Sequence, residues 1–294
     1  MNTRSYLRAL ATGLATGLCL KAGAEVPVVR WLVLDFPPYH ITAGPLQGQG
    51  VRDKYLHALQ AELPQFSHIT EFASLPRMAG LMQAGEPVCT ISQLKTSERE
   101  NYAVFSRWPY GHQLPIRLVV LPRTIARNPA LQQEAVSLKR VLDSTSLTMG
   151  LVEKRSFGQV LDDVLNDAPA RHVLRFSSDT VQAAQIRLME LGRFDLTLGY
   201  AIEIEWLRHN DPQLKPVSYL PMTESEALIP TYVSCARSEL GEAVIAAVNA
   251  RPKGGVAQQA MRKEYEALLP TAERQRYRKQ LERRSGDPAT NLQK

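Results

Sequence analysis

Residues 26–36, VPVVRWLVLDF, form an unbroken apolar run that is rich in β-branched side chains. Such a run is typical of a parallel strand that is buried on both faces of a sheet. Two prolines at 37–38 end it, because proline cannot donate to the hydrogen bonds of a sheet. The pattern then alternates between helices and strands, at 53–62, 68–74, 76–84 and 87–94. This alternation predicts an α/β fold with a mostly parallel sheet.

The same alternation starts again in the second half of the chain. Segments 81–91, LMQAGEPVCTI, and 188–198, LMELGRFDLTL, both have the pattern of a helix end, a glycine and a strand. That order is common in α/β proteins, so it favours two similar lobes only together with the renewed alternation. The later elements are strands at 146–152, 172–177 and 193–200 and helices at 158–167 and 180–191.

Two stretches connect the halves of the chain. The apolar segment 114–122 is expected to cross from the first half to the second, and 217–237 to return before two further helices. We therefore predict two α/β lobes, each a mostly parallel sheet flanked by helices, with two crossing strands as a hinge. The predicted bounds are 25–117 and 223–270 for lobe 1, 118–222 for lobe 2, and 271–294 for a charged, solvated tail.

The first 24 residues have the pattern of a secretory signal peptide. Two arginines precede an apolar segment at 9–20 that is too short to span a bilayer, and 22–24, AGA, fits the small-residue cleavage rule. Cys19 allows a lipoprotein anchor as an alternative, which the bulky Leu18 before it disfavours. We expect a periplasmic protein that starts at Glu25 and has no stable membrane insertion.

Removal of this signal changes the charge and the cysteine count. The whole chain has a formal net charge of +6, and its first 24 residues hold three basic and no acidic residues, so the remainder carries +3. That charge is ordinary for an exported protein and does not indicate nucleic-acid binding. Cys89 and Cys235 remain, and in an oxidising compartment they either form a disulfide or lie apart as buried thiols. No spacing matches a metal site, and no cofactor is expected.

Residues 95–100, KTSERE, follow the third strand of the first lobe, at the edge of the sheet where ligand sites form. Ser97 and Glu100 have the spacing of a capping box, which predicts a helix start. Arg99 then lies in the first turn, where the helix dipole disfavours a cation. Either Arg99 is an exposed side chain of little consequence, or it shares an anion with the free backbone N–H groups. The other loops expected at such edges follow residues 36, 152 and 198.

Segments of both halves, taken in order, resemble the family 3 extracellular solute-binding proteins of bacterial ABC importers. The resemblance covers about residues 28–268 and implies a periplasmic-binding-protein type II fold, whose two lobes close on a small ligand. Only the order and spacing of the segments are specific, and the stretch around Arg77 together with Cys89 marks a divergent branch. The segments are DFPPYHI (35–41), GQGVRDKYLHAL (48–59), LMQAGEPVCTI (81–91), KTSERENYAVFSRWPY (95–110), LTMGLVEKRSFGQVL (147–161), LMELGRFDLTLGY (188–200) and YVSCARSELGEAVIAAV (232–248).

The resemblance implies binding roles for particular side chains. Arg99 matches the arginine that holds the ligand's carboxylate, with Thr96 on the threonine before it. Tyr39 matches an aromatic residue that packs on the ligand, and Ser92 a hydroxyl at the end of a strand. In the second lobe Ser156 takes the place of a hydroxyl that donates to the carboxylate.

Three further residues are candidates for the cleft. Arg77 either faces the cleft or pairs with Glu71 or Glu100, and Phe157 either lines the second lobe or belongs to its core. Tyr200 stands near the position where amino-acid binders of the family carry an acid for the ligand's ammonium group. Because a buried ammonium without a carboxylate is costly, an anionic or polar ligand without an ammonium group is favoured.

We predict a periplasmic solute-binding protein, not an enzyme, that captures a small carboxylate-bearing or polar solute by lobe closure for an ABC permease or a sensor. One alternative is an enzyme on the same fold, similar to cyclohexadienyl dehydratases, with Glu153, Glu203 or Glu86 as general acid. Another is a ligand-free regulatory or structural partner with a degenerate cleft. In the family's topology the return strand joins the sheet of the first lobe, which would bring Cys89 and Cys235 together.

Overall fold

The structure, a computed structural model, describes residues 25–177, 183–225 and 227–285; the predicted signal peptide lies outside these residues. The strands are β1 Val28–Val33, β2 Ser67–Phe72, β3 Val88–Thr90, β4 Ala103–Phe105, β5 Gly111–Gln113, β6 Arg117–Val120, β7 Met149–Val152, β8 Val173–Phe176, β9 Leu196–Gly199, β10 Ser218–Leu220, β11 Ile229–Thr231 and β12 Ser234–Ala236. The helices are α1 Val51–Ala61, α2 Leu75–Gln83, α3 Ser97–Glu100, α4 Pro122–Arg127, α5 Leu138–Ser144, α6 Gln159–Asp167, α7 Ala183–Glu190, α8 Ala201–Asn210, α9 Glu239–Asn249, α10 Val256–Leu268 and α11 Thr271–Ser285. Within the described ranges, none of these helices has the length and apolar character needed to cross a membrane.

The first sheet has the order β2-β1-β3-β12-β4. β1 lies between β2 and β3 and runs parallel to both, whereas β12 runs antiparallel to β3 and β4. Val29 and Trp31 of β1 are completely buried. The unbroken apolar sequence of β1 is thus explained by its central position, where both faces of the strand are covered.

The second sheet has the order β10-β6-β9-β7-β8. β7 is parallel to β8 and β9, and β6 is antiparallel to β9 and β10. In each sheet one strand, β12 or β6, therefore runs against the other four. The prediction of two mostly parallel sheets is confirmed.

A small antiparallel ribbon of β5 and β11 connects the two sheets. The chain leaves the first sheet after β4, passes through β5 and enters the second at β6; it returns from β10 through β11 to β12. We call the parts built on the first and second sheets the first and second lobe. The two-lobed α/β fold with two crossings is confirmed, while the residue bounds proposed for the lobes remain a prediction.

The predicted disulfide is present. Cys89 of β3 and Cys235 of β12 lie opposite each other in register and are bonded, across 146 residues of sequence. The alternative of two separate buried thiols is wrong for this structure. The bridge ties the return strand to the parallel core of the first lobe.

The C-terminal helix α11 corrects the prediction of a solvated tail over its first part. Tyr277 is only 1 % exposed, packs edge-on against Tyr265 and donates from its hydroxyl to the carbonyl of His112 at 3.0 Å. Tyr265 in turn accepts the N–H of Leu114 at 2.9 Å. The buried Tyr277 thus anchors a largely charged helix on the ribbon between the lobes, and the ion pair of Arg278 with Glu266 at 2.7 Å adds a contact to α10. The high charge of the segment gave no indication of this packing.

Candidate functional site

The loops that follow β1, β3, β7 and β9 meet between the two lobes, as the strand order predicts. They border two adjoining cavities. The first, of about 420 Å³, is called the large chamber; the second, of about 30 Å³ beside Ser92, is called the small chamber. Leu75, Arg99, Arg155 and Ser156 line both chambers, so the two belong to one cleft.

The lining of the cleft is basic, most of all around the small chamber. Three arginines line that chamber, and no acidic residue of the described part of the chain does so: Arg52, Arg99 and Arg155. The large chamber is mixed, with basic Arg99, Lys154, Arg155 and Arg175 against acidic Glu98, Glu153 and Asp162. The residues that the structure describes contain no group of His, Cys, Asp and Glu side chains that could hold a metal ion. Positive charge is therefore concentrated where the chambers meet.

Arg99 bridges the two lobes. Its side chain is 7 % exposed; Nη1 donates to the carbonyl of Leu94 at 2.9 Å, and Nη2 to the carbonyl of Lys154, across the cleft, at 3.0 Å. The guanidinium carries more donors than these two bonds use. Burial lowers the pKa of the Arg99 guanidinium, which means that its charged form is poorly solvated and would be stabilised by an anion.

The start of α3 differs from the predicted capping box. The N-cap is Thr96, whose Oγ1 accepts the N–H of Arg99 at 3.3 Å, and α3 begins at Ser97, one residue earlier than a cap at Ser97 would allow. The pairing of Ser97 with Glu100 as cap residues is wrong, because Thr96 already has the extended backbone of a cap. The Arg99 N–H that was expected to help bind an anion is therefore occupied. The side chain of Arg99 is left as the anion-binding group, with Thr96 lining the large chamber.

Tyr39 lies behind the cleft rather than in its wall. It is 2 % exposed, and the guanidinium carbon of Arg52 lies 4.5 Å from its ring centroid. Nη2 of Arg52 also donates to Oε1 of Gln113 at 2.9 Å. The aromatic ring thus holds an arginine by a cation–π contact, and it is Arg52 that faces the small chamber.

Arg155 and Glu203 form an ion pair inside the second lobe. The two side chains are almost fully buried, and Arg155 Nη2 lies 3.3 Å from Glu203 Oε2, which also accepts the N–H of Tyr200 at 3.2 Å. The guanidinium carbon lies 5.2 to 5.9 Å from the ring centroids of Phe36, Phe157 and Tyr200. Burial raises the pKa of Glu203, against the opposing charge of Arg155. Glu203 is thus engaged by Arg155 and does not line either chamber.

Ser156 lines both chambers, but its hydroxyl proton is already used. It donates to Asp162, which also accepts the N–H of Phe157 at 2.8 Å. Burial raises the pKa of Asp162 in spite of these hydrogen bonds. The expected donation from Ser156 to a ligand's carboxylate would therefore require that its bond to Asp162 break.

Ser92 belongs to a chain of hydrogen bonds that runs from α1 to the small chamber. Its Oγ lies 2.9 Å from Nε2 of His40, whose Nδ1 lies 2.6 Å from Oδ1 of Asp53. The other oxygen of Asp53 accepts the N–H groups of Ile41 and Gly50, each at 3.0 Å. His40 is completely buried, so the chain is shielded from solvent up to Ser92.

Two other predicted residues also lie outside the chambers. Arg77 is exposed on α2. The pKa of Glu71 is lowered chiefly by a hydrogen bond from Arg30 and, to a smaller extent, by the charge of Arg77, which favours the ion-pair reading of Arg77. Phe157 is 2 % exposed and belongs to the core. The predicted residues that the structure does bring together in the cleft are Ser92, Thr96, Arg99, Ser156 and Tyr200.

Several lining residues were missed by the sequence reasoning. Arg52 carried the same signal as Arg99, a cation in the first turn of a helix, since α1 begins at Val51. Asp162 and Gln113 carried no local signal, because the first lies within an amphipathic helix and the second in the ribbon between the lobes.

The chain has the two-lobed fold of substrate-binding proteins of ABC transporters. It is similar to a putative L-cystine ABC transporter from Listeria monocytogenes, with 14 % identity over 84 % of this chain and 96 % of that chain and a TM-score of 0.61. It is also similar to the arginine-, lysine-, histidine-binding protein ArtJ from Geobacillus stearothermophilus, with 16 % identity over 84 % and 98 % and a TM-score of 0.59. A histidine kinase sensor domain with similarity to periplasmic binding proteins matches with 12 % identity over 82 % and 93 % and a TM-score of 0.59.

These likenesses establish the fold and confirm the architecture that the sequence resemblance implied. A scan against protein-family models and a search of curated proteins found no match. Two of the three similar proteins are named for binding or transport, and the third is the sensor domain of a histidine kinase.

Proposed function

We propose that this chain is a periplasmic solute-binding protein whose cleft captures a small carboxylate-bearing solute when the lobes close. The observation that carries the proposal is the lining of the small chamber by Arg52, Arg99 and Arg155 without an acidic residue of the described part of the chain. A carboxylate at the junction of the chambers would accept charge-assisted hydrogen bonds from Arg99 and Arg155. It would also supply a negative charge that stabilises the poorly solvated guanidinium of Arg99.

Lobe closure and ligand binding would be coupled through Arg99. Its bond to the carbonyl of Lys154 can form only while the lobes are together. An anion held by Arg99 against Arg155 would therefore bind the closed form more tightly than the open form and shift the population toward it. The named neighbours include ABC-transport proteins and one sensor domain, which supports delivery to a permease and leaves signalling through a sensor as the alternative.

The class of ligand is limited by where the carboxylates of the second lobe lie, as well as by the three arginines. Tyr200 stands where an acid for an ammonium group was expected, and Glu203, one turn further, is already paired with Arg155. An ammonium group in the small chamber would face three arginines without a carboxylate. In the small chamber an anionic or neutral group is therefore favoured over the ammonium group of a standard amino acid.

The variant Arg99→Ala is expected to weaken binding of the best carboxylate by roughly 100-fold, because loss of one partner from a buried charged hydrogen bond costs about 2–5 kcal/mol. Thermal-shift screening of the protein from Glu25 onward with mono-, di- and hydroxycarboxylates and amino acids identifies the probe. Calorimetry then measures its Kd for wild type and variant.

Arg77→Ala is the matched control, since it removes an arginine that is exposed on α2 and outside both chambers. It should bind the probe as wild type does. Equal affinity of Arg99→Ala and wild type would exclude Arg99 as the anchor. No binding by any carboxylate would contradict the proposed function itself.

A further inference from the structure

We infer that His40 and Asp53 fix the direction of the Ser92 hydroxyl proton, so that the cleft selects carboxylates bearing a neighbouring hydroxyl over the matched 2-oxo acids. The inference rests on the proposed function and deepens it by naming a ligand class. It concerns two buried residues to which neither the sequence resemblance nor the lining of the chambers assigned a role.

Asp53 sets the positions of the protons in the chain of hydrogen bonds from Asp53 through His40 to Ser92. Its Oδ2 accepts two backbone N–H groups, those of Ile41 and Gly50, which can only donate. Burial alone would raise the pKa of Asp53, but the hydrogen bonds from His40 and from these two amides together hold it below its usual value. The carboxylate is therefore ionised at neutral pH, and its Oδ1 must accept a proton from Nδ1 of His40.

His40 passes this constraint to Ser92. Burial lowers the pKa of His40, so the ring is neutral at pH 7 and carries a single N–H, which Asp53 places on Nδ1. Nε2 then holds a lone pair and can only accept. The bond of 2.9 Å between Nε2 and Ser92 is thus a donation from the Ser92 hydroxyl to His40. What Ser92 presents to the small chamber is an acceptor.

The size and the charge of the small chamber restrict the group that can meet this acceptor. With a volume of about 30 Å³ the chamber has room for one small group, while the rest of a ligand has the adjoining 420 Å³. The group that meets Ser92 must donate a hydrogen bond to it, which a ketone oxygen cannot do. A hydroxyl can donate to Ser92 without adding positive charge. An ammonium group could also donate, but it would be repelled by Arg52, Arg99 and Arg155.

The proton positions can be measured without a ligand. Long-range ¹H–¹⁵N correlation spectra of the imidazole groups, assigned with His40→Gln, should show the His40 proton on Nδ1 and a bare Nε2. A proton on Nε2 would overturn the inference, because Ser92 would then accept from His40 and donate into the cleft.

The ligand class is tested by calorimetry with three matched series: lactate, pyruvate and alanine; 2-hydroxyglutarate, 2-oxoglutarate and glutamate; phenyllactate, phenylpyruvate and phenylalanine. In the series that binds best, we expect the hydroxy acid to bind at least roughly tenfold more tightly than the oxo acid, with the amino acid weaker than the hydroxy acid. An oxo acid that binds as tightly overturns the inference and leaves anion binding intact, and an amino acid that binds most tightly overturns the choice of a hydroxyl. No binding in any series overturns the inference, and the proposed function is overturned with it only when the wider carboxylate screen also finds no ligand.

Two variants separate this role from a merely structural one. In Asp53→Asn the amide oxygen can still accept the N–H groups of Ile41 and Gly50, while its NH2 group faces His40 and moves the imidazole proton to Nε2. Ser92 would then donate into the cleft, so the preference should invert in favour of the oxo acid, which loss of structure alone would not produce. Ser92→Ala should bind both acids equally; retention of the wild-type ratio in Ser92→Ala would overturn the inference even if Asp53→Asn does not fold.

Discussion

Replacement of both bridging cysteines, Cys89→Ala with Cys235→Ala, is expected to lower the free energy of unfolding by roughly 2–5 kcal/mol. The bridge spans 146 residues, so in the unfolded chain it closes a loop that includes the whole second lobe. Chain-entropy arguments assign roughly 5 kcal/mol to a loop of this length. Both cysteines are buried, where β3 pairs with β12, so the bond is shielded from solvent.

Urea unfolding of the protein from Glu25 onward, with and without dithiothreitol, measures this effect. Wild type should lose stability when the bond is reduced, whereas the double variant should not respond to the reductant. If oxidised wild type and the variant had the same unfolding midpoint, the bridge would not contribute to the free energy of unfolding. Thiol labelling of the denatured, unreduced wild type should find no free cysteine.

The fold was accessible to sequence reasoning because its signals are local. The apolar runs of β1 and β9 each predict a buried strand without reference to any other part of the chain. The helices between the strands are predicted by the spacing of their apolar residues alone. The short ribbon strands β5 and β11, three residues each, carry no such period. The docking of α11 combines one buried side chain, Tyr277, with polar contacts such as the ion pair of Arg278 with Glu266, and a single buried residue in a charged segment forms no hydrophobic period.

The site was less accessible, because its chemistry depends on pairs of residues that no local spacing rule connects. Arg99 could be found, since a cation in the first turn of a helix is unfavourable unless something compensates it. The roles of Tyr39 and Ser156 could not be found, because each depends on a partner elsewhere: Arg52 above the ring of Tyr39, and Asp162 as acceptor of the Ser156 proton.

One physical feature connects these differences. Tyr39, which the resemblance assigned to the ligand, instead holds Arg52 in place, and Tyr200, which lines the small chamber, also contacts Arg155. A cation over an aromatic ring keeps its position without being neutralised. The cleft can therefore hold buried positive charge that is available to an anion. The ion pair of Arg155 with Glu203 is the exception, because there a carboxylate partly neutralises the arginine.

Glu203→Ala is expected to lower the free energy of unfolding by roughly 3–5 kcal/mol, because it removes the carboxylate that pairs with the buried guanidinium of Arg155. Equilibrium urea unfolding at pH 7 measures the loss. A variant as stable as wild type would mean that Arg155 does not depend on this carboxylate.

The double variant Arg155→Met with Glu203→Met should regain most of that stability. Both side chains of the pair are almost fully buried, and the cost of burying two such charges can exceed what their attraction returns. A pair with this balance can be replaced by two apolar side chains at little net cost, whereas removal of one partner alone cannot be tolerated. If the double variant is as unstable as Glu203→Ala, the pair itself stabilises the second lobe. If it is stable but no longer binds the carboxylate probe, Arg155 is kept in the lobe for the anion, and Glu203 is kept to make its burial possible.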